Sequence, residues 1–358
     1  MTTSTVRQQA TFHPLAVRGV EPLTDDAVAI TFDVPAELRD EYAFSAGQHL
    51  TIRGDDGVRR SYSICTSPSS GVLRIGVKRL PGGAFSDQVV GALAPGDRLQ
   101  VMTPSGRFTV TPDPTVRKRY VAIAAGSGIT PMLSILAALL EGEPDCFVTL
   151  VYANRTARSV MFLDEVHDLK DLHPARFQVL HVLSRERTDV DLLSGRLDGE
   201  RLRAILAAFV PVAAVDDWFL CGPQQLVEEL RATLRTVGVQ RVHSELFHAD
   251  TAPRAPVTVL TGTDDGAAAV TVRLDGRATD LALHPDGPSV LEAATAVRSD
   301  VPFACKGGVC GTCRARVLEG SVAMDANYAL EPEELERGYV LTCQAHPTSE
   351  RVVLDYDS

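Results

Sequence analysis

The chain has no apolar stretch long enough to span a bilayer. Its opening residues, Met1-Thr2-Thr3-Ser4-Thr5-Val6-Arg7, have no hydrophobic region of the kind an export signal needs. These two absences predict a protein of the reducing cytoplasm with no membrane partner. Positive charge is also in short supply. Thirty-five Lys and Arg face 46 Asp and Glu, a net of -11. That balance argues against non-specific nucleic-acid binding, which relies on cations neutralising phosphates. No internal repeat is evident, so 358 residues must fill two or three distinct cores. The paired short cysteine spacings of a zinc knuckle are missing too.

What is present is concentrated near the C-terminus. Cys305-Lys-Gly-Gly-Val-Cys310-Gly-Thr-Cys313, with Cys343 farther on, is a C-x₄-C-x₂-C run followed by a distant fourth cysteine. This is the ligand spacing of a plant-type [2Fe–2S] cluster. Each iron needs a tetrahedral set of sulfurs, and bridging sulfides supply half. One tight loop can present three thiolates; the fourth must come from elsewhere. Gly307, Gly308 and Gly311 let the backbone wrap closely and leave amides free to point at sulfur. A disulfide framework fits poorly in a chain with seven cysteines and no secretory signal. The segment from Val257 onward carries 16 acids and 8 bases by count, an excess that could steer a basic partner or simply solubilise the surface.

Three textures divide the chain. Residues 1–113 read as short strands, including His49–Arg53, Arg60–Cys65, Val72–Leu80 and Arg98–Met102, broken by Gly, Pro and Asp. One helix is possible near Ala84–Ala92. Residues 114–248 alternate strand and helix, with strands at Tyr120–Ala124, Phe147–Tyr152, Phe177–Leu183 and Asp217–Cys221. Helices are predicted over Pro131–Leu140, Ser159–Leu172, Asp198–Phe209 and Pro223–Val237. This alternation predicts a doubly wound parallel sheet. Residues 249–256 read as a linker. Residues 257–358 hold a hairpin around Asp275-Gly276, a short helix at Ser289–Ala296, and the cysteine loop.

A cluster that takes one electron at a time cannot accept a hydride. A flavin, which takes two electrons and releases them singly, is the expected converter. Arg60-Ser61-Tyr62-Ser63 offers a fixed cation for a phosphate, an aromatic to stack on the isoalloxazine and a hydroxyl for its N5 edge. Gly82-Gly83-Ala84-Phe85-Ser86 places two glycines before a helix start, where amides can cradle a pyrophosphate. Alone, the first motif also fits an exposed strand with a packed tyrosine.

The pyridine nucleotide site is expected at Gly126-Ser127-Gly128-Ile129-Thr130-Pro131. Small residues there let a phosphate approach a helix N-terminus, and Pro131 suits a first turn. The third glycine of the dinucleotide fingerprint is absent. Cys221-Gly222-Pro223 ends another strand at the same sheet edge; the plainer reading of Cys221 is a buried apolar residue.

These motifs resemble the ferredoxin–NADP reductase superfamily. With the C-terminal cysteine loop, the chain resembles the reductase components of multicomponent oxygenases. The branch it most resembles serves the epoxidases of phenylacetate catabolism, on Arg59-Arg60-Ser-Tyr62-Ser63-Ile-Cys65, Ala124-Ala-Gly-Ser-Gly-Ile-Thr-Pro-Met132 and Gly338-Tyr-Val-Leu-Thr-Cys343-Gln-Ala345.

The resemblance implies an antiparallel β-barrel flavin domain, an α/β nucleotide domain and a β-grasp ferredoxin domain. It implies FAD, with Arg60 and Ser86 on its phosphates, Tyr62 and Ser63 on the isoalloxazine, and Val77, Lys78 and Phe85 nearby. It puts Cys221 beside the nicotinamide C4, acting by contact, and Glu245 and Phe247 near the flavin. Phe247 fits a core position equally well.

Arg155 ends one strand, and Ser184-Arg185 resembles the pair that grips the 2′-phosphate in NADP-dependent relatives. NADPH is therefore expected over NADH, although ordinary solvated arginines would look the same. The expected partner is the oxygenase subunits. Two other readings stand beside this one: a reductase for a Rieske-type aromatic or steroid hydroxylase, and a redox-sensing or binding module.

Overall fold

The computed structural model describes residues 11–54, 57–81, 83, 85–247, 266–298 and 300–358. The predicted linker 249–256 and Gly82 lie outside the described residues. The chain divides into two compact units, Phe12–Phe247 and a C-terminal unit described from Gly266 to Ser358.

The first unit opens with six strands: β1 (Phe12–Thr24), β2 (Ala27–Asp33), β3 (His49–Arg53), β4 (Arg59–Ser63), β5 (Leu73–Lys78) and β6 (Arg98–Met102). They pair antiparallel in the order β4-β3-β6-β1-β2-β5. An isolated bridge between Ile64 and Ile75 joins the two ends and closes the sheet into a barrel. Leu15, Ile30, Leu50, Ile52, Ile75 and Val101 are wholly buried inside it. Only closure removes both exposed edges, which is why such short strands form a stable layer. Helix α1 (Ser86–Ala92) follows β5.

The same unit continues with a parallel sheet of β7 (Arg119–Ala125), β8 (Phe147–Asn154), β9 (Phe177–Leu183), β10 (Asp217–Pro223) and β11 (His243–Phe247). Its order is β11-β10-β7-β8-β9. The connecting helices are α2 (Ile129–Gly142), α3 (Leu163–Leu172), α4 (Gly199–Phe209) and α5 (Gln224–Thr236). Successive strands run outward from β7 on one side and from β10 on the other. The crevice at that reversal, beyond the strand C-termini, is where such sheets bind ligands.

Helix α2 is buried from Ile129 to Leu140. A helix apolar all round must be covered all round, and α2 lies between its own sheet and the barrel. Ser134 Oγ donates to the Thr66 carbonyl at 2.6 Å and accepts from Gly47 N–H at 3.3 Å. Helix α3 starts at Leu163, four residues later than the sequence pattern predicts. Ala157–Ser159 forms a separate short turn, and Phe162 stands at φ 57°, a left-handed conformation no helix continues through.

In the second unit β12 (Ala268–Leu274) and β13 (Arg277–Leu283) form a hairpin whose turn, Asp275-Gly276, has positive φ at both residues. Helix α6 (Val290–Val297) starts with a capping box of Ser289 and Glu292. Three further strands, β14 (Arg314–Glu319), β16 (Tyr339–Leu341) and β18 (Arg351–Asp355), complete a mixed sheet in the order β13-β12-β18-β14-β16. A two-stranded ladder of β15 (Val322–Met324) and β17 (Ala345–Pro347) and a short helix α7 (Pro332–Glu336) flank it. Val272, Leu291, Leu354 and Tyr356 fill the core between α6 and the sheet, the arrangement of a β-grasp domain.

Candidate functional site

The register of the parallel sheet lines up one row across all five strands. Glu245 pairs with Cys221, Cys221 with Ala124, Ala124 with Tyr152, and Tyr152 with His181. Residues in register point to the same face. The row therefore sets the Glu245 carboxyl beside the Cys221 thiol, with Ala124 between that thiol and the Tyr152 phenol. The carboxyl reaches the barrel as well: Ser63 Oγ donates to Glu245 Oε2 at 3.0 Å. Ser63, Glu245 and Cys221 meet where barrel and sheet join.

Burial governs the charge of this group. The Cys221 thiol is pushed well up, first by lost solvation and then by the neighbouring Glu245. It is a neutral thiol at physiological pH, suited to contact and not to nucleophilic attack. Lost solvation pushes the Glu245 carboxyl up to about 7, against the stabilising bond from Ser63. A carboxyl poised there can hold or release a proton near neutrality.

The turn after β7 shows why glycine is required. A Cβ on Gly128 would run into the Cys221 carbonyl oxygen and lie 2.9 Å from Gly222 N. Only glycine lets the turn rest on the end of β10, so the turn after β7 and Cys221-Gly222-Pro223 come together by direct backbone packing. Thr130 Oγ1 donates to the Ser127 carbonyl at 3.0 Å, and Pro131 sits in the first turn of α2. The Tyr152 hydroxyl donates to the Gly126 and Met161 carbonyls, both at 3.1 Å. Tyr152 pins the turn from below. In the sequence it reads only as a strand residue, because its partner is a backbone atom.

On the barrel side, the rings of Tyr62 and Phe85 lie 5.4 Å apart, giving one aromatic ledge from β4 and the start of α1. Arg60 is close to Tyr62 on β4, and its guanidinium donates to the Arg59 carbonyl at 3.0 Å. Ser86 Oγ accepts from Leu80 N–H at 3.0 Å and Gly83 N–H donates to the Leu80 carbonyl at 2.8 Å, so Gly83 and Ser86 are both tied to Leu80. Val77 is buried in the barrel core, and Lys78 pairs with Asp26 at 3.1 Å. Phe247 ends β11 and packs on the nucleotide-domain core.

The candidates for nucleotide choice lie along the other side of the same edge. Ser184 N–H donates to the Asn154 carbonyl at 2.9 Å and Arg185 N–H to the Arg155 carbonyl at 2.8 Å. Pairing thus continues past the named ends of β8 and β9 and sets exposed Arg155 and Arg185 on adjacent chain segments. Glu186 accepts from Ala157 N–H at 2.9 Å, which turns that acid toward the backbone.

In the second unit the four cysteines are free thiols, and they pair. Cys305 neighbours Cys310, and Cys343 neighbours Cys313. Cys305 is held down at about 6 by the neighbouring Cys310 and by the amides of Gly307, Val309 and Cys310. Cys343 is lowered by Cys313, with the Gln344 amide adding to it. Cys310 is pushed up beside Cys305, and Cys313 beside Cys343, with lost solvation adding to both.

Among the described residues no three His, Cys, Asp or Glu side chains converge on one ion position. Cys305, Cys310 and Cys313 on one loop, with Cys343 from a distant turn, would hold a [2Fe–2S] group, which would supply one-electron transfer. The backbone fits the same purpose: Gly308 has φ 77° with the Ala326 carbonyl 3.2 Å from where a Cβ would be, and Lys306 accepts φ 53°. This donor set fits a [2Fe–2S] group.

Comparison with known proteins identifies three domain families along the chain. An oxidoreductase FAD-binding domain model matches residues 14–110, an oxidoreductase NAD-binding domain model residues 122–232, and a 2Fe-2S iron-sulfur cluster binding domain model residues 272–348. The chain is 45% identical over 353 residues to one component of the 1,2-phenylacetyl-CoA epoxidase of Escherichia coli (strain K12), covering 97% of this chain and 98% of that protein. It is 36% identical over 354 residues to the ferredoxin reductase component of 3-ketosteroid-9-alpha-monooxygenase of Rhodococcus rhodochrous, covering 96% of each. The crystal structure of phthalate dioxygenase reductase superposes with a TM-score of 0.58 at 24% identity, covering 96% of this chain and 98% of that one, a likeness of fold. Among the described residues no helix is long and apolar enough to cross a membrane. The chain belongs to the ferredoxin–NADP reductase-type oxygenase reductases, oxidoreductases that combine FAD-binding, NAD-binding and [2Fe–2S] domains in one polypeptide.

Proposed function

We propose that this reductase draws electrons from NADPH in the cytoplasm and delivers them to the oxygenase subunits of a phenylacetyl-CoA epoxidase complex. Residues 1–113 hold FAD, 114–248 hold the nucleotide and 257–358 hold the cluster. The observation that carries the reading is the Ser63–Glu245 hydrogen bond in register with Cys221. It brings a barrel hydroxyl, a proton-holding carboxyl and a neutral thiol to the ligand crevice of the sheet. When bound, the flavin accepts a hydride and the [2Fe–2S] group takes electrons one at a time.

The rest is positioning by this chain. Tyr62 and Phe85 give the flavin ring a stacking ledge, and Arg60 with the Gly83–Ser86 turn receives its phosphates. Gly126, Gly128, Thr130 and Pro131 form the nucleotide phosphate turn, held by Tyr152. Cys221, with Gly222 and Pro223, presents an apolar edge at the hydride-leaving carbon and keeps water out. Glu245 supplies or retains a proton at the Ser63 hydroxyl. Arg155, Ser184 and Arg185 meet the adenosine end, where paired guanidinium groups suit a 2′-phosphate. Cys305, Cys310, Cys313 and Cys343 hold the two irons.

The likeness to the epoxidase component over nearly the whole chain supports the epoxidase partner. The likeness to the ketosteroid reductase component supports a second reading, service to a steroid monooxygenase. Purified oxygenases separate them: the true partner couples nucleotide oxidation to product, and the other only leaks. Anaerobic titration with NADPH and NADH, following flavin and cluster bleaching, tests the nucleotide. We expect Arg185→Ala to raise KM for NADPH by roughly tenfold, one lost charged contact, and to leave NADH unchanged. An equal effect on both nucleotides would remove the 2′-phosphate assignment.

A further inference from the structure

Gln344 follows the fourth cysteine and is buried, with 5% of its surface exposed. Its side-chain nitrogen donates to the Lys306 carbonyl at 2.8 Å and to the Cys343 carbonyl at 3.0 Å, and lies 3.6 Å from Cys343 Sγ. Both oxygens are obligate acceptors, so the amide nitrogen, not its oxygen, must face them. The –NH₂ group has two protons for three acceptors. One goes to Lys306. The other is shared between the Cys343 carbonyl and sulfur, and a thiolate sulfur bound to iron attracts it more strongly than a neutral thiol does.

The Lys306 bond has its own meaning. Lys306 is one of three non-glycine residues at positive φ among the described residues, with φ 53°. A left-handed lysine is strained and needs something to hold it. Lys306 begins the turn that spaces Cys305 from Cys310. Gln344 thus ties the three-cysteine loop to the turn between β16 and β17 that brings the fourth cysteine. It also packs the loop from inside: its Cγ would be 3.3 Å from a Cβ on Gly308.

We propose that Gln344 is a positioning residue that tunes the iron–sulfur centre, raising its reduction potential by donating toward Cys343 Sγ while clamping the loop through Lys306. Reduction adds negative charge to the cluster and its sulfurs. A donor aimed at one sulfur stabilises the reduced form more than the oxidised form, so it raises the potential. The proposal rests on the four cysteines being the cluster ligands.

The test is an EPR-monitored redox titration of the full-length holoprotein and of Gln344→Met, which keeps the length and loses the donor. We expect the variant's reduced-to-oxidised ratio at a fixed ambient potential to fall several-fold; tenfold corresponds to about 59 mV for one electron. Iron release to a chelator should quicken as well. Adding Lys306→Gly to Gln344→Met removes the left-handed strain. The double variant should recover slow iron release while keeping the lowered potential. It also provides a loaded cluster to titrate if the single variant retains none. A parental midpoint potential in either loaded variant overturns the tuning role, and parental iron release in Gln344→Met overturns the clamp. An unvaried protein with no [2Fe–2S] signal would overturn the ligand assignment, and this proposal with it.

Discussion

At the end of β10, Cys221 is enclosed by apolar strand residues beside a carboxyl, and its thiol is pushed far up. In the C-terminal loop, Cys305 is also largely enclosed, yet it is held down at about 6 by a neighbouring thiol and by amides. Burial alone would raise both. The difference is the neighbour first and the backbone second. Beside Cys221 the neighbour is the Glu245 carboxyl, which raises the thiol further, and only the Gly222 amide opposes it. A loop with Lys306, Gly308 and Gly311 at positive φ turns its amides inward, toward sulfur. One side chain thereby suits the inert neighbour proposed for Cys221 in one unit and the thiolate ligand proposed for Cys305 in the other.

The sharpest way to break this contrast is to remove a loop thiol. Cys310→Ser takes a ligand from the Cys305 pair. Iron and acid-labile sulfide should fall to near background, while flavin content and flavin bleaching by NADPH persist, because the reductase unit has its own core. Loss of flavin together with iron would contradict two independent sites.

The next effect belongs to the strand-end thiol. Cys221→Ala keeps the site apolar and removes the contact at the reacting edge. Misplacement of about 1 Å costs on the order of 10²-fold in rate. We expect single-turnover flavin bleaching by NADPH to slow by about that factor, with cluster content unchanged. A parental rate would show that Cys221 is only core.

The two regions also differ in how far residue patterns reveal them. The cysteine loop is local: spacing and glycines specify it almost completely. The parallel strands are similarly legible, since buried strands and glycine turns leave contiguous signals. By contrast, the hairpin of β1 and β2 has no period that stands out, as β1 alternates poorly and β2 is buried from Ala27 to Phe32. Strands β14 to β18 are short and depend on pairing across the domain, so composition hides them. In the site, Glu245 and Ser63 are 182 residues apart and their bond is visible only in three dimensions. Tyr152 and Gln344 act through backbone carbonyls, which no side-chain motif encodes.

The smallest expected effect lies with the acid that joins the two halves of the reductase unit. Glu245 titrates at about 7, above the ordinary carboxyl value, because its ionised form loses solvation. At pH 6 the parent carboxyl is mostly protonated, so Glu245→Gln should bleach flavin at close to the parental rate. At pH 8 the parent is mostly ionised and the variant remains neutral, so the two rates should separate by a few-fold. Stability follows the same proton. Between about 4.5 and 7 the folded chain binds more protons at this site than the unfolded chain. Parental stability therefore declines as pH rises through that window, by on the order of 1–3 kcal/mol at most. The variant lacks that slope. Thermal melts of the two proteins should diverge from pH 5 to pH 7.5 in favour of Gln and run parallel above it. If they stay parallel throughout, Glu245 ionises freely, and the carboxyl next to Cys221 is a solvated acid with no proton to hold.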